Sequence, residues 1–124
     1  WTLIWNEDFN EPTLDNNKWN VLQWRPGWVN NENQAYTDRD TNLYFEDGNL
    51  VIRALVEPGY YDQDYQGNSY NSDYTSGRIN TAGKFNTTYG RFDIRAKLPK
   101  GRGSWPAIWM LGENIGTVGW PLCG

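Results

Sequence analysis

The chain contains no histidine and a single cysteine, Cys123. Without histidine it lacks the commonest transition-metal ligand and the usual general acid/base, so neither a zinc-finger pattern nor a Ser-His-Asp arrangement can be built from it. One cysteine cannot close an internal disulfide. Positive charge is also scarce: 11 Lys and Arg against 15 Asp and Glu leave a net charge of −4. Nucleic-acid binding rests on clustered cations, so no nucleic-acid partner is expected and a neutral ligand is favoured. No run approaches the roughly 20 apolar residues of a membrane span, and no membrane partner is expected. The chain opens "WTLIWNEDFN" with no basic and apolar leader. A secreted or extracellular protein whose signal has been removed is the expectation.

Leu, Ile, Val and Ala are sparse, whereas 8 Trp, 8 Tyr and 13 Gly stand among many Asn. That mixture favours short strands and polar turns over helices, an all-β chain of one domain. In "GNLVIRALV", Leu50, Ile52, Ala54 and Val56 alternate with Asn49, Val51, Arg53 and Leu55, the period of a strand. In "YGRFDIRAKLP", Phe92, Ile94, Ala96 and Leu98 alternate with Arg91, Asp93, Arg95 and Lys97, one face for a core and one for solvent, and Pro99 ends the run. The stretch "EPGYYDQDYQGNSYNSDY" between them is too polar for a core and reads as a long loop. No helical periodicity and no internal repeat is present. The expected architecture is an antiparallel sandwich.

Aromatic and polar side chains suggest a sugar-binding face. As a strand, "SWPAIWML" puts Trp105 and Trp109 on one side, about 7 Å apart, with Ile108 and Met110 on the other. An indole offers a flat surface to sugar C–H groups and an N–H to a hydroxyl; the alternative is that both are sandwich core. "YTSGRINT" sets Ser76, Arg78 and Asn80 on one face, so Arg78 either projects beside an aromatic platform or makes an ordinary surface ion pair. Gly77 permits a close approach to the backbone. "GWVNNENQAYT" clusters Trp28, Asn30, Asn31, Glu32, Asn33, Gln34 and Tyr36, whose amides suit hydroxyl recognition and equally suit turns.

"NNENQAYT", "DGNLVI", "YTSGRINTAGKF", "YGRFDIRAKLPKG" and "GSWPAIWMLG", in that order, resemble the bacterial laminarinase group of glycoside hydrolase family 16, the endo-β-1,3-glucanases. The resemblance implies a β-jelly roll sandwich of two curved antiparallel sheets with the substrate groove across the concave face. Residues 1–124 would be the N-terminal part of a single such domain, supplying about half of it. It implies sugar contacts at Asn30, Arg78, Trp105 and Trp109, with Glu32 and Tyr36 beside Asn30 and Trp120 bordering the catalytic strand. In that family this strand carries Glu-x-Asp-x-x-Glu after "WP…G", which places the catalytic acids immediately after Gly124 and none in this chain. The missing C-terminal half, as another segment or chain, and a β-glucan polysaccharide are the implied partners. Members often carry a structural calcium, for which Glu7 and Gly48 are the matching positions; no cofactor is required.

Retaining glycosidases need two carboxyl groups about 5–5.5 Å apart, which alternate positions of one strand deliver. The paired acids present are Asp62/Asp64, Asp38/Asp40, Glu7/Asp8 and Glu46/Asp47. Two pairs lie in turn-like segments, and neighbours in a strand face opposite ways, so none has the framing of a dyad. Asp62, Asp64, Gln66 and Asp73 also approach a calcium-loop spacing, without flanking helices. The implied activity is endo-acting hydrolysis of β-1,3- or mixed β-1,3-1,4-glucan with retention of configuration. The alternative is a non-catalytic, lectin-like β-glucan-binding module.

Overall fold

The computed structural model describes residues 1–123, which divide into two compact units, Trp1–Lys84 and Phe85–Gly124. Every strand lies in the first: β1 (Asn20–Val21), β2 (Ala35–Tyr36), β3 (Leu43–Glu46), β4 (Asn49–Ile52), β5 (Leu55–Gln63), β6 (Ser69–Ser76) and β7 (Ile79–Asn80). They form the sheets β1-β7, β2-β6-β5 and β3-β4. Pairing is antiparallel except for β2 and β6, where Ala35 and Tyr36 run parallel to Thr75 and Ser76. Among the described residues no helix is long and apolar enough to cross a membrane.

Local chemistry sets each hairpin. Asp47 and Gly48, at φ of 50° and 70°, close β3 onto β4 with Glu46 opposite Asn49. Positive φ at both central positions is the turn geometry whose twist matches that of the strands. The β5–β6 hairpin closes around Asp64. Its carboxylate accepts the Gln66 and Asn68 amide N–H groups at 3.0 and 2.9 Å, and its own N–H donates to the Asn68 carbonyl.

The long loop expected between Glu57 and Tyr74 is therefore mostly sheet. Its inward positions are polar: Tyr70, Ser72 and Thr75 are buried, and Thr75 and Ser72 are hydrogen-bonded. A register shift between Val56 and Tyr60 accommodates Pro58 and Gly59, and Asp73 accepts the Gly59 N–H. The strand expected over residues 49–56 is interrupted at Arg53 and Ala54. Both main-chain groups of Arg53 turn to Asn42, its N–H donating to the Asn42 carbonyl and its carbonyl accepting the Asn42 amide.

Asn42 is wholly buried and tied on every side. Nδ2 donates to Thr75 Oγ1 at 2.9 Å and to the Arg53 carbonyl at 3.0 Å; Oδ1 accepts Thr37 Oγ1 at 2.5 Å and Arg39 Nη2 at 2.9 Å. Arg39 clasps Glu57 with both terminal nitrogens, and the Thr75 hydroxyl donates to the same carboxylate. Among the described residues no buried side-chain polar atom lacks a partner.

In the second unit the stretches expected as strands, 91–98 and 105–111, form no strand among the described residues. Phe92, Ile94, Leu98, Ile108 and Met110 are exposed, so the alternation is present without a sheet to receive it. A strand's backbone needs a paired strand beside it, and the described residues form no such sheet in this unit. The unit ends in a short helix, α1 (Ile115–Val118), and a turn that packs the Cys123 carbonyl against Gly112.

The Glu57 carboxyl is held below its ordinary range by the hydrogen bonds from Arg39 and then Thr75. A carboxyl depressed in the fold contributes stability above its unfolded value, and that contribution disappears as pH falls through the folded value. Glu57→Gln should thus lower the thermal midpoint at neutral pH and flatten its decline on acidification. Parallel midpoint-against-pH curves for the two proteins would contradict this account of the cluster.

Candidate sugar-binding site

The backbone from β1 onward turns from one neighbour to another. Leu22 N–H donates to the Arg78 carbonyl at 3.0 Å, and Trp24 then exchanges both main-chain hydrogen bonds with Tyr36. This crossing brings Trp24, Tyr36 and Arg78 together. The Arg78 guanidinium carbon lies 4.6 Å from the Trp24 ring centre and 5.5 Å from that of Tyr36. The two rings meet edge-on at 6.3 Å. A guanidinium laid on an aromatic face keeps its charge while its N–H fork is aimed by the ring.

Beside it runs a polar row. Tyr36 donates its hydroxyl to Glu32 Oε2 at 2.6 Å, and Gln34 Nε2 donates to the same carboxylate at 3.1 Å and to the Tyr36 oxygen at 2.9 Å. Asn30 reaches Glu32 Oε1 at 3.5 Å from a loop closed by Gly27 N–H on the Glu32 carbonyl and Glu32 N–H on that of Val29. Asn30 and Asn31 hold left-handed φ values of 53° and 52°, which asparagine adopts more readily than most residues. The Tyr36 phenol is pushed above its ordinary value by burial and by its hydrogen bond to Glu32. Burial also pushes Tyr70, in β6 opposite Asp62, up to about 12.

The structure thus gathers Asn30, Glu32 and Arg78 into one neighbourhood. Trp105, Trp109 and Trp120 belong to the second unit, where all three are exposed. The close approach anticipated at Gly77 is made by the protein itself: a Cβ there would lie 3.1 Å from the Asn42 carbonyl oxygen. Trp24 is the member of this cluster that the motifs did not single out. Its signal was the spacing Trp24-x-x-x-Trp28, the same as Trp105 to Trp109, here stacked at 5.8 Å across a turn at Pro26 and Gly27.

Three of the other acids, Asp62, Asp64 and Asp73, are occupied locally. Asp64 is bonded by Arg25 at 2.8 Å and by the hairpin amides, Asp62 accepts the Tyr60 hydroxyl and Gln63 N–H, and Asp73 accepts Gly59 N–H. The suggested calcium loop is a hairpin turn stabilised from within. Glu7 spends its carboxylate on Phe9 N–H and Trp19 Nε1, with the Lys18 ammonium 3.5 Å away. No group of three or more His, Cys, Asp or Glu suited to a metal occurs among the described residues.

Residues 23–119, spanning this whole site, match the family described as glycosyl hydrolases family 16. The chain belongs to that family. It is 44% identical over 125 residues to the β-glucanase of Rhodothermus marinus, covering 98% of this chain and 40% of that protein. Against glucan endo-1,3-β-glucosidase A1 of Niallia circulans the identity is 42%, over 98% of this chain and 19% of that one. The laminarinase catalytic domain of Thermotoga maritima superposes with a TM-score of 0.82 at 46% identity, over 99% of this chain and 48% of that domain. The expected all-β, jelly-roll class therefore stands. The chain spans less than half the length of each of these family 16 relatives.

Glu32 raises the Tyr36 phenol both through its hydrogen bond and through its charge. Glu32→Gln should therefore shift one tyrosine to ionise at lower pH in a phenolate absorbance titration. An unchanged titration would mean that this pair does not form in solution.

Proposed function

We propose that this chain supplies the sugar-binding groove of an endo-acting β-1,3-glucan hydrolase that retains configuration, with mixed β-1,3-1,4-glucan as the related substrate. The observation that carries the reading is the polar row of Asn30, Glu32, Gln34 and Tyr36 beside an Arg78 fork mounted on Trp24. Such a row donates to and accepts from vicinal hydroxyls, while aromatic surface meets the apolar face of a pyranose. Family membership and the glucanase names of its relatives support it.

On this reading, the chain is the N-terminal part of a single domain, and the nucleophile and acid/base stand on a further segment or chain as Glu-x-Asp-x-x-Glu following Gly124. The groove residues would bind and orient the glucan; Arg78 would donate to sugar hydroxyls or steady an incoming carboxylate. The family motif alone assigns sugar contacts to Trp105, Trp109 and Trp120. No cofactor enters the chemistry. A calcium at Glu7 and Gly48 would be a structural ion held by main-chain oxygens. A polymeric glucan does not enter cells, so the reading puts the protein outside them.

Reducing-sugar release from a laminarin-type glucan tests this directly. The chain alone should release none, and the chain joined or mixed with the carboxylate-bearing segment should release it with retained configuration. Hydrolysis by the chain alone would overturn the assignment of the acids. In the complete domain Trp109→Ala should cost on the order of 1–3 kcal/mol of glucan binding with little change in thermal midpoint. A collapse in stability with affinity preserved would make the indole a core residue.

A further inference from the structure

The tip of the β5–β6 hairpin is connected to Arg78 by a row of flat groups. Asp64, whose side chain is fully buried, takes a 2.8 Å ion pair from Arg25. The Arg25 guanidinium carbon lies 4.8 Å from the Trp28 ring centre. Trp28 stacks on Trp24 at 5.8 Å with 29° between planes, and Trp24 carries Arg78 at 4.6 Å. The hairpin grips the same segment twice more: Tyr65 meets Trp28 edge-on at 5.5 Å, and Tyr65 N–H donates to the Gln23 carbonyl at 3.1 Å.

We infer that Arg25, held by Asp64, is a positioning residue for Arg78, acting through the stacked Trp28 and Trp24. This rests on the proposed role of Arg78 in the groove and goes beyond it by naming what aims the guanidinium. Each contact in the row is between planes, so the position of one constrains the tilt of the next. Arg25 is suited to the first place because a planar fork can face an indole and still bond a carboxylate at its edge. Lysine could keep the ion pair but would present no plane. Asp64 fixes the starting point: the Gln66 and Asn68 N–H groups hold its Oδ1, and Oδ2 takes Arg25 at 2.8 Å with the Asn68 side-chain amide at 3.3 Å. The hairpin, which contributes no residue to the polar row, thereby bears on where a sugar hydroxyl finds its donor.

The test is a double-mutant cycle read as the dissociation constant of a β-1,3-gluco-oligosaccharide on the complete domain. Arg25→Lys should weaken binding about three-fold to ten-fold, the range of coupling through shared partners. In an Arg78→Lys background the same substitution should have no further effect, since the group being aimed is gone. Asp64→Asn should repeat the pattern; should it fail to fold, the half-exposed Arg25 site decides alone. Equal losses from Arg25→Lys in both backgrounds would overturn the relay and leave the groove intact. If Arg78→Lys itself left affinity unchanged, the groove reading would fall, and the relay with it.

Discussion

The arrangement of the first unit depends on one buried amide. Asn42, just before β3, ties the β3-β4 hairpin to the β2-β6-β5 sheet, because its side chain reaches Thr37 beyond β2, Thr75 in β6 and the Arg53 carbonyl between β4 and β5. An amide offers two donors and two acceptors, and here the partners stand in three directions. Such a group is costly to bury unless every bond is made, so the same bonds that satisfy it also fix the relative placing of three strands. Arg39 and Glu57 extend the cluster outward and carry its charge towards solvent.

Around that centre the molecule uses aromatic rings and guanidinium groups where many small domains use aliphatic side chains. Arg39 lies 4.3 Å from the Tyr60 ring centre, Arg53 4.8 Å from that of Tyr44, and Arg25 and Arg78 cover tryptophans. The fully buried apolar residues are few and small, Ala35 chief among them. Planar contacts of this kind are directional, in contrast to hydrophobic burial, and they suit a protein whose working surface is itself aromatic and polar. The site is continuous with the means by which the fold is held.

Much of this was legible in the residues. The strand at Asn49–Ile52 was visible in its alternation, although its partner β3 was not singled out, and Asn30, Glu32 and Arg78 were named by motif before any geometry was known. The β5–β6 hairpin was not. Its inward residues include Tyr70, Ser72 and Thr75; Thr75 is satisfied by Asn42 and Glu57, and Ser72 by the Asn33 and Tyr74 carbonyls. Hydrophobic alternation cannot register a strand whose buried face is hydrogen-bonded. The opposite failure occurred at 91–98, where alternation is clean but no strand forms among the described residues. Periodicity reports which face a strand would bury; it does not report whether a partner is present.

Gly77 stands where these two arrangements meet. A methyl group there would press on the Asn42 carbonyl at 3.1 Å, on Ile52 at 3.2 Å and on Leu43 at 3.2 Å, and the next residue is Arg78. The groove is thus open to evolutionary change on one side and closed on the other. Asn30, Glu32 and Gln34 sit on a surface loop, where a lineage can exchange side chains and retune which hydroxyls are read without disturbing the interior. Arg78 follows directly on Gly77, whose backbone lies against the Asn42 main-chain carbonyl. On the proposed reading of this groove, substrate preference can drift by the loop, while the guanidinium stays put as the fixed point against which each new loop is selected.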